Sequence, residues 1–286
     1  MSASDNLAAQ IRFPLYLCAA ILIIAGLAHF PIYWLSGESW EGPVSWRKPI
    51  LFGISTGLTV WSVGYVMPRL NHVRGDLWLS WLFSIALLIE VGLITMQKWR
   101  GEASHFNYST ALNAAVAYTM LAMITFATVV IIYIAIRSLR HLDVGPDVRL
   151  SINSGFAFLV ISCIIGFVIS EYGNHEAMLG NNPSVYGEAG VTKFPHGVAI
   201  HAIQILPAVC WVLYQIGVPM IWRKRVVWGL TIFMAAVLIF SIVQTLRGKA
   251  RYDLTLDSKA ATHRQAFSES FSDDQHRLAF YHAASD

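Results

Sequence analysis

Seven long apolar runs follow one another along the chain, at roughly residues 13–35, 50–66, 77–96, 111–136, 150–170, 197–221 and 226–246. Each approaches the roughly 20 residues that a helix needs to cross a hydrocarbon core of about 30 Å. The runs are continuous and do not alternate in polarity, which predicts helices rather than barrel strands. In lipid, a helix also satisfies its own backbone hydrogen bonds. The expected fold class is all-α, a polytopic membrane protein built as a bundle of about seven transmembrane helices. Within the second run, Gly53, Gly57 and Gly64 fall on one face, where a neighbouring backbone can approach closely. No internal repeat emerges from comparing the halves, which weakens an inverted-repeat transporter reading.

Composition agrees with this pattern. Of 286 residues, 56% are hydrophobic and 13% charged, whereas a soluble domain carries roughly 25% charged residues. The frame divides into a segment 1–12, a seven-helix domain 13–250 and a polar tail 251–286, expected to be poorly ordered. The first segment lacks the cationic start of a signal peptide, so the first run is expected to be a retained helix. Cys18, Cys163 and Cys210 lie in separate apolar runs without CxxC spacing, which argues against a disulfide framework or thiolate cluster. A net charge of +3, divided among loops, gives no reason to expect a nucleic-acid partner. The lipid bilayer is the expected partner, and homo-oligomerisation stays open.

Arg12, Arg69, Arg74, Arg137, Arg140, Arg149, Arg223, Lys224 and Arg225 fall on the N-terminal side. Arg47, Lys48, Lys98, Arg100 and Lys193 occupy the short loops opposite. The positive-inside rule then expects a cytoplasmic N-terminus in a plasma (inner) membrane. Arg247, Lys249 and Arg251 beyond the last span narrow that bias.

Candidate chemistry is one-sided. Loops after the first, third and fifth runs mix aromatic, acidic, amide and imidazole groups, and the third of them, 171–196, is long enough for a lid. His29, Glu90, His105, His175, His196 and His201 all fall at this end, while the opposite end has only His72 and His141. Those two lie in short basic loops, where solvated or head-group roles are expected, so a pair of haems stacked through the membrane is poorly supported. His196 and His201 are five apart and are not expected to share a helical face, so His196 reads as a loop or cap residue. His263, His276 and His282 in the tail read as solvated residues. An interfacial belt explains Trp40, Trp46, Trp99 and Lys48 without any ligand.

Glu90 is an ionisable group within a span, which costs roughly 2.5–3.5 kcal/mol on insertion and by default marks function. Gln97 lies one heptad later and extends a polar stripe toward Arg100; Asn107, Thr110 and Asn113 continue inward at helical spacing. His201 and Gln204 are three apart and share a face.

The expected site has His29, His105 and His201 as metal ligands, Glu90 and Gln97 as catalytic or proton-path residues, and Arg47, Arg100 and Gln204 as cofactor-binding groups. Neutral imidazoles suit a divalent metal or haem iron, and guanidinium forks suit propionates or an anionic substrate. The expected cofactor is haem or a divalent metal, with a quinone or small molecule as ligand and a membrane oxidoreductase as one enzyme class. A proton-coupled transporter or small-ligand receptor needs no metal, and a scaffold or assembly factor needs no site. The seventh run contains no lysine for a retinal Schiff base. No Walker loop, HExxH or CxxCH occurs, and neither a GxSxG nucleophile elbow nor a dinucleotide glycine fingerprint stands in loop context.

Overall fold

The computed structural model describes residues 3–253. Its elements are α1 (Ala3–Ser36), α2 (Arg47–Val66), α3 (Asp76–Trp99), α4 (Ala111–His141) and α5 (Pro146–Met178). A two-stranded hairpin follows, β1 (Val185–Tyr186) and β2 (Gly190–Val191), then α6 (Lys193–Ile200), α7 (Ala202–Gln215) and α8 (Met220–Leu246). Seven helical segments are long and apolar enough to cross a membrane, α6 and α7 together forming one of them. The chain is a multi-pass integral membrane protein. Its outward surface agrees, since Trp78, Val168 and Ile232 are all largely exposed along the helices. Most of the tail, including His263, His276 and His282, lies outside the described residues.

The helices outrun the apolar runs because only the hydrocarbon requires apolar side chains, whereas the backbone ladder continues into polar surroundings. α1 therefore starts at Ala3 and α5 continues to Met178. The loop expected over 171–196 shrinks accordingly, and His175 belongs to the last turn of α5.

Two groups of helices pack separately, α1 to α4 and α5 to α8. They are joined where α4 meets α5 and, more lightly, where α2 meets α7. The main core, including Leu15, Val60, Phe83, Ile134, Phe156 and Ile203, runs across the α4/α5 side of this seam. A second core, around Phe158, Leu206, Met234 and Leu238, serves α5 to α8.

The glycine face of the second span does what its spacing predicts. A Cβ on Gly53 would lie 2.8 Å from the Leu22 carbonyl oxygen and 2.9 Å from Gly26 Cα, and one on Gly57 would meet the Ala19 carbonyl oxygen at 3.0 Å. Backbone approach of this kind replaces the hydrophobic effect as the source of helix association in lipid.

At the end that carries the N-terminus, two ion pairs with buried carboxylates tie the helices. Arg137 of α4 forms a bidentate pair with Asp76 of α3, at 2.6 and 3.0 Å, and Arg223 of α8 pairs with Asp147 of α5. Both carboxylates open their helices, where the dipole favours an anion, and Arg137 sits in the last turns of α4, where it favours a cation.

Candidate functional site

The opposite end is organised by the α3–α4 loop. Arg100 donates to Gln97 Oε1 (2.6 Å), and both Arg100 and Gln97 donate to Asn113 Oδ1, at 3.3 and 3.1 Å. Asn113 Nδ2 and Asn107 Nδ2 then donate to Glu102 Oε2, at 3.1 and 2.8 Å. Thr110 caps α4 by accepting from the Asn113 amide at 3.2 Å. This network makes the loop a rigid strap, and the expected polar stripe from Gln97 to Arg100 is part of it.

The strap reaches the other half of the molecule. Phe106 adopts φ 61°, a left-handed conformation uncommon for a bulky residue, and its ring rests against Gly173 of α5, where a Cβ would collide with it. Tyr108 donates to Asn174 of α5 at 3.3 Å. His105, one residue before Phe106, is thereby held at the seam.

There the cations gather. Lys48 Nζ donates to Ser104 Oγ at 3.2 Å, and Ser104 Oγ contacts His105 Nδ1 at 2.8 Å. The His105 ring lies against Phe52, with centroids 5.5 Å apart. From the other half, Lys193 at the start of α6 lies within electrostatic reach of His105, Arg47, Glu41 and Arg251, and His196 within reach of Lys193 and His201. Arg47 pairs with Glu41, whereas none of the ion pairs among the described residues includes Lys48 or Lys193.

Burial, reinforced by the Lys48 and Lys193 ammoniums, pushes the His105 imidazole down from 6.5 to about 3. His105 is therefore neutral at physiological pH. In the unfolded chain it takes up a proton below about 6.5, so it draws stability away as pH falls from there toward about 3. His105→Gln is expected to flatten that part of a thermal-stability profile against pH. A profile unchanged between wild type and variant would contradict the burial assignment.

Each residue expected at the site has a definite place. His29 sits between Trp46 and Trp99, at centroid distances of 5.7 and 6.3 Å. Trp99 Nε1 is a donor only, so His29 Nε2 accepts from it (3.2 Å) and Nδ1–H donates to the Ala25 carbonyl (2.6 Å). With both nitrogens engaged, His29 does not converge with His105 and His201, and the expected three-histidine arrangement is not formed. Among the described residues, no three His, Cys, Asp or Glu side chains gather closely enough to hold a metal ion.

His201 marks the break between α6 and α7. His196 lies within α6 and is no loop residue, and the interruption at His201 brings the two imidazoles within electrostatic reach despite their five-residue spacing. Pro207 cannot donate to the Ile203 carbonyl, which loosens the same stretch. The Gln204 amide bridges the seam below them. Its oxygen accepts from the Thr59 hydroxyl of α2 at 3.2 Å, and its nitrogen donates to the His201 and Ile200 carbonyls at 3.0 and 3.2 Å.

Glu90 lies deeper on α3, roughly 10 Å along the helix from Gln97. It is 6% exposed, and its Oε2 has no hydrogen-bond partner. Sequence reasoning assigned Lys48 to an interfacial belt and Lys193 to the topology count, and so missed their meeting. The legible signal was Arg47 and Lys48 opening a span, where the helix dipole disfavours cations. Two shallow indentations at the other end, one along Pro68–His72 with Asp143 and one beside Asp76 and Tyr133, lie away from this cluster. Compared with known proteins, the chain matches no family model, no curated protein and no solved structure.

Proposed function

We propose that this membrane protein binds the polar head of a small, membrane-soluble molecule at the seam between its two helical groups, on the loop-bearing face. The supporting observation is the meeting of Lys48 and His105 from one group with Lys193 and, behind it, His196 and His201 from the other. Cationic donors and a neutral imidazole suit an electronegative oxygen, such as a quinone carbonyl or a haem propionate. A membrane oxidoreductase is the enzyme class that uses either. His105 would then hold the bound head group by a hydrogen bond or, for a haem, supply an imidazole to its iron, and Gln204 keeps α2 and α7 in register beneath it. The multi-histidine metal centre loses its support with His29 fully engaged. We place the N-terminus in the cytoplasm and this face outside, on the distribution of basic residues.

The test is the absorption spectrum and organic extract of detergent-purified protein, beside His105→Ala. A Soret band or an extracted quinone that the variant loses supports the reading. A wild type without either sinks its redox form.

A second reading, proton-coupled transport, is favoured by the unpartnered Glu90 oxygen. Glu90→Gln keeps volume and polarity while removing the exchangeable proton, so it is expected to abolish proton-coupled uptake and leave folding near wild type. Unchanged uptake at normal expression would remove Glu90 from any proton path.

A further inference from the structure

The two helices that bring Lys48 and Lys193 within electrostatic reach of each other carry their charges the wrong way round. α2 begins Arg47-Lys48-Pro49, with no acidic residue in its first turn and no side-chain cap. α6 begins at Lys193, again without an acidic first turn or a side-chain cap. A helix N-terminus carries roughly half a positive charge, so basic residues there repel the dipole. They also repel each other, since Lys48 and Lys193 each lie in the field of Arg47. Immediately before α2, Ser45 Oγ is an enclosed hydroxyl without a hydrogen-bond partner, on a residue 1% exposed. Glu41 answers Arg47 and part of the field at Lys193, whereas Lys48, the two uncapped N-termini and the orphaned Ser45 hydroxyl have no anion opposite them in any ion pair among the described residues.

We propose that this point binds a phosphate group, with Lys48 and Lys193 as its cations, Ser45 as a neutral donor, and the N-termini of α2 and α6 facing it. This rests on the seam being a binding site and names the chemistry of the group that enters first. A phosphate fits better than a carboxylate, because donors arriving from two helices and a strap serve a tetrahedral oxyanion from several directions, whereas a carboxylate presents two oxygens in one plane. The phosphate belongs either to a lipid head group or to a soluble phosphoester.

The test is thermal unfolding of the full chain in detergent while inorganic phosphate is titrated at constant ionic strength with chloride. A parallel arm uses nanodiscs of phosphatidylcholine with and without phosphatidic acid. Phosphate binding to the folded state is expected to raise the wild-type Tm with increasing concentration. Lys48→Gln and Lys193→Gln are each expected to weaken that response about tenfold, the value of one charge-assisted contact. Both should also raise the Tm in the absence of phosphate, because a repelling charge is gone; a merely structural lysine would lower it. Lys98→Gln, whose ammonium is already paired with Glu38, should respond like wild type. If Lys48→Gln does not fold, Lys193→Gln, on an exposed residue, carries the test.

A response to free phosphate assigns a soluble phosphoester, and a response confined to phosphatidic acid assigns a lipid head group; either supports the site. No response in either arm, or an undiminished wild-type response in both Lys48→Gln and Lys193→Gln, overturns it. In that case a haem or quinone still lost from His105→Ala would leave the broader reading standing.

Discussion

Arg137→Ala is expected to destabilise the chain by about 3–5 kcal/mol, because it strands a buried carboxylate. Asp76 is 3% exposed and Arg137 7%. The guanidinium supplies two bonds to the carboxylate and a third, from Nη2, to the Asn71 carbonyl at 2.6 Å. Asp76 Oδ2 also accepts the Val73 amide at 3.0 Å, so the pair fixes the turn between α2 and α3 as well as the α3–α4 contact. Unfolding in mixed micelles measures the loss. Asp76→Asn in the same background should recover a large part of it, since the uncompensated charge is what costs most. A loss below about 1 kcal/mol would place the pair in the class of exposed ion pairs and contradict its burial.

Gly53→Leu is expected to separate α1 from α2 and to lower folded yield more than any other single change in that interface. The Leu22 carbonyl and the Gly26 Cα already lie 2.8 and 2.9 Å from where a first carbon would stand, and both are backbone atoms that cannot swing aside. Overpacking by one or two methylenes in a tight core costs about 1–3 kcal/mol, and a whole leucine against backbone exceeds that range. Gly92→Ala on α3, where a Cβ meets nothing within 4 Å, is the matched control and should behave as wild type or slightly better. Equal yields for the two variants, read by size-exclusion chromatography, would contradict the close α1–α2 approach.

The fold was legible because the bilayer imposes so simple a requirement on sequence. Seven apolar runs gave seven spans, and three glycines on one face gave the tight helix pair. The polar end was only partly legible. Gln97 and Arg100 are bonded along the stripe that their spacing on α3 suggested, whereas the spacing on α4 did not show that Asn113 meets them. Residues held by irregular backbone could not be placed that way. The left-handed Phe106 turns the strap into the seam, and the break at His201 resets the register of His196. Convergence of Lys48 with Lys193 depends on how α2 and α6 approach, and no periodicity within either helix encodes that. For His29, spacing cannot reveal that a neighbouring tryptophan donates to its Nε2.

The central claim is that a water-reachable polar site opens at the seam on the loop-bearing face. The most direct measurement places a single cysteine at His201 in a background lacking Cys18, Cys163 and Cys210, and labels it with a membrane-impermeant maleimide. Labelling is done in sealed vesicles of known orientation, with Lys193→Cys as the companion on the same face. The account predicts that both positions label from one side, the side opposite the N-terminus. No labelling at His201 from either side, or labelling from the side that carries Arg137 and Arg223, would contradict it.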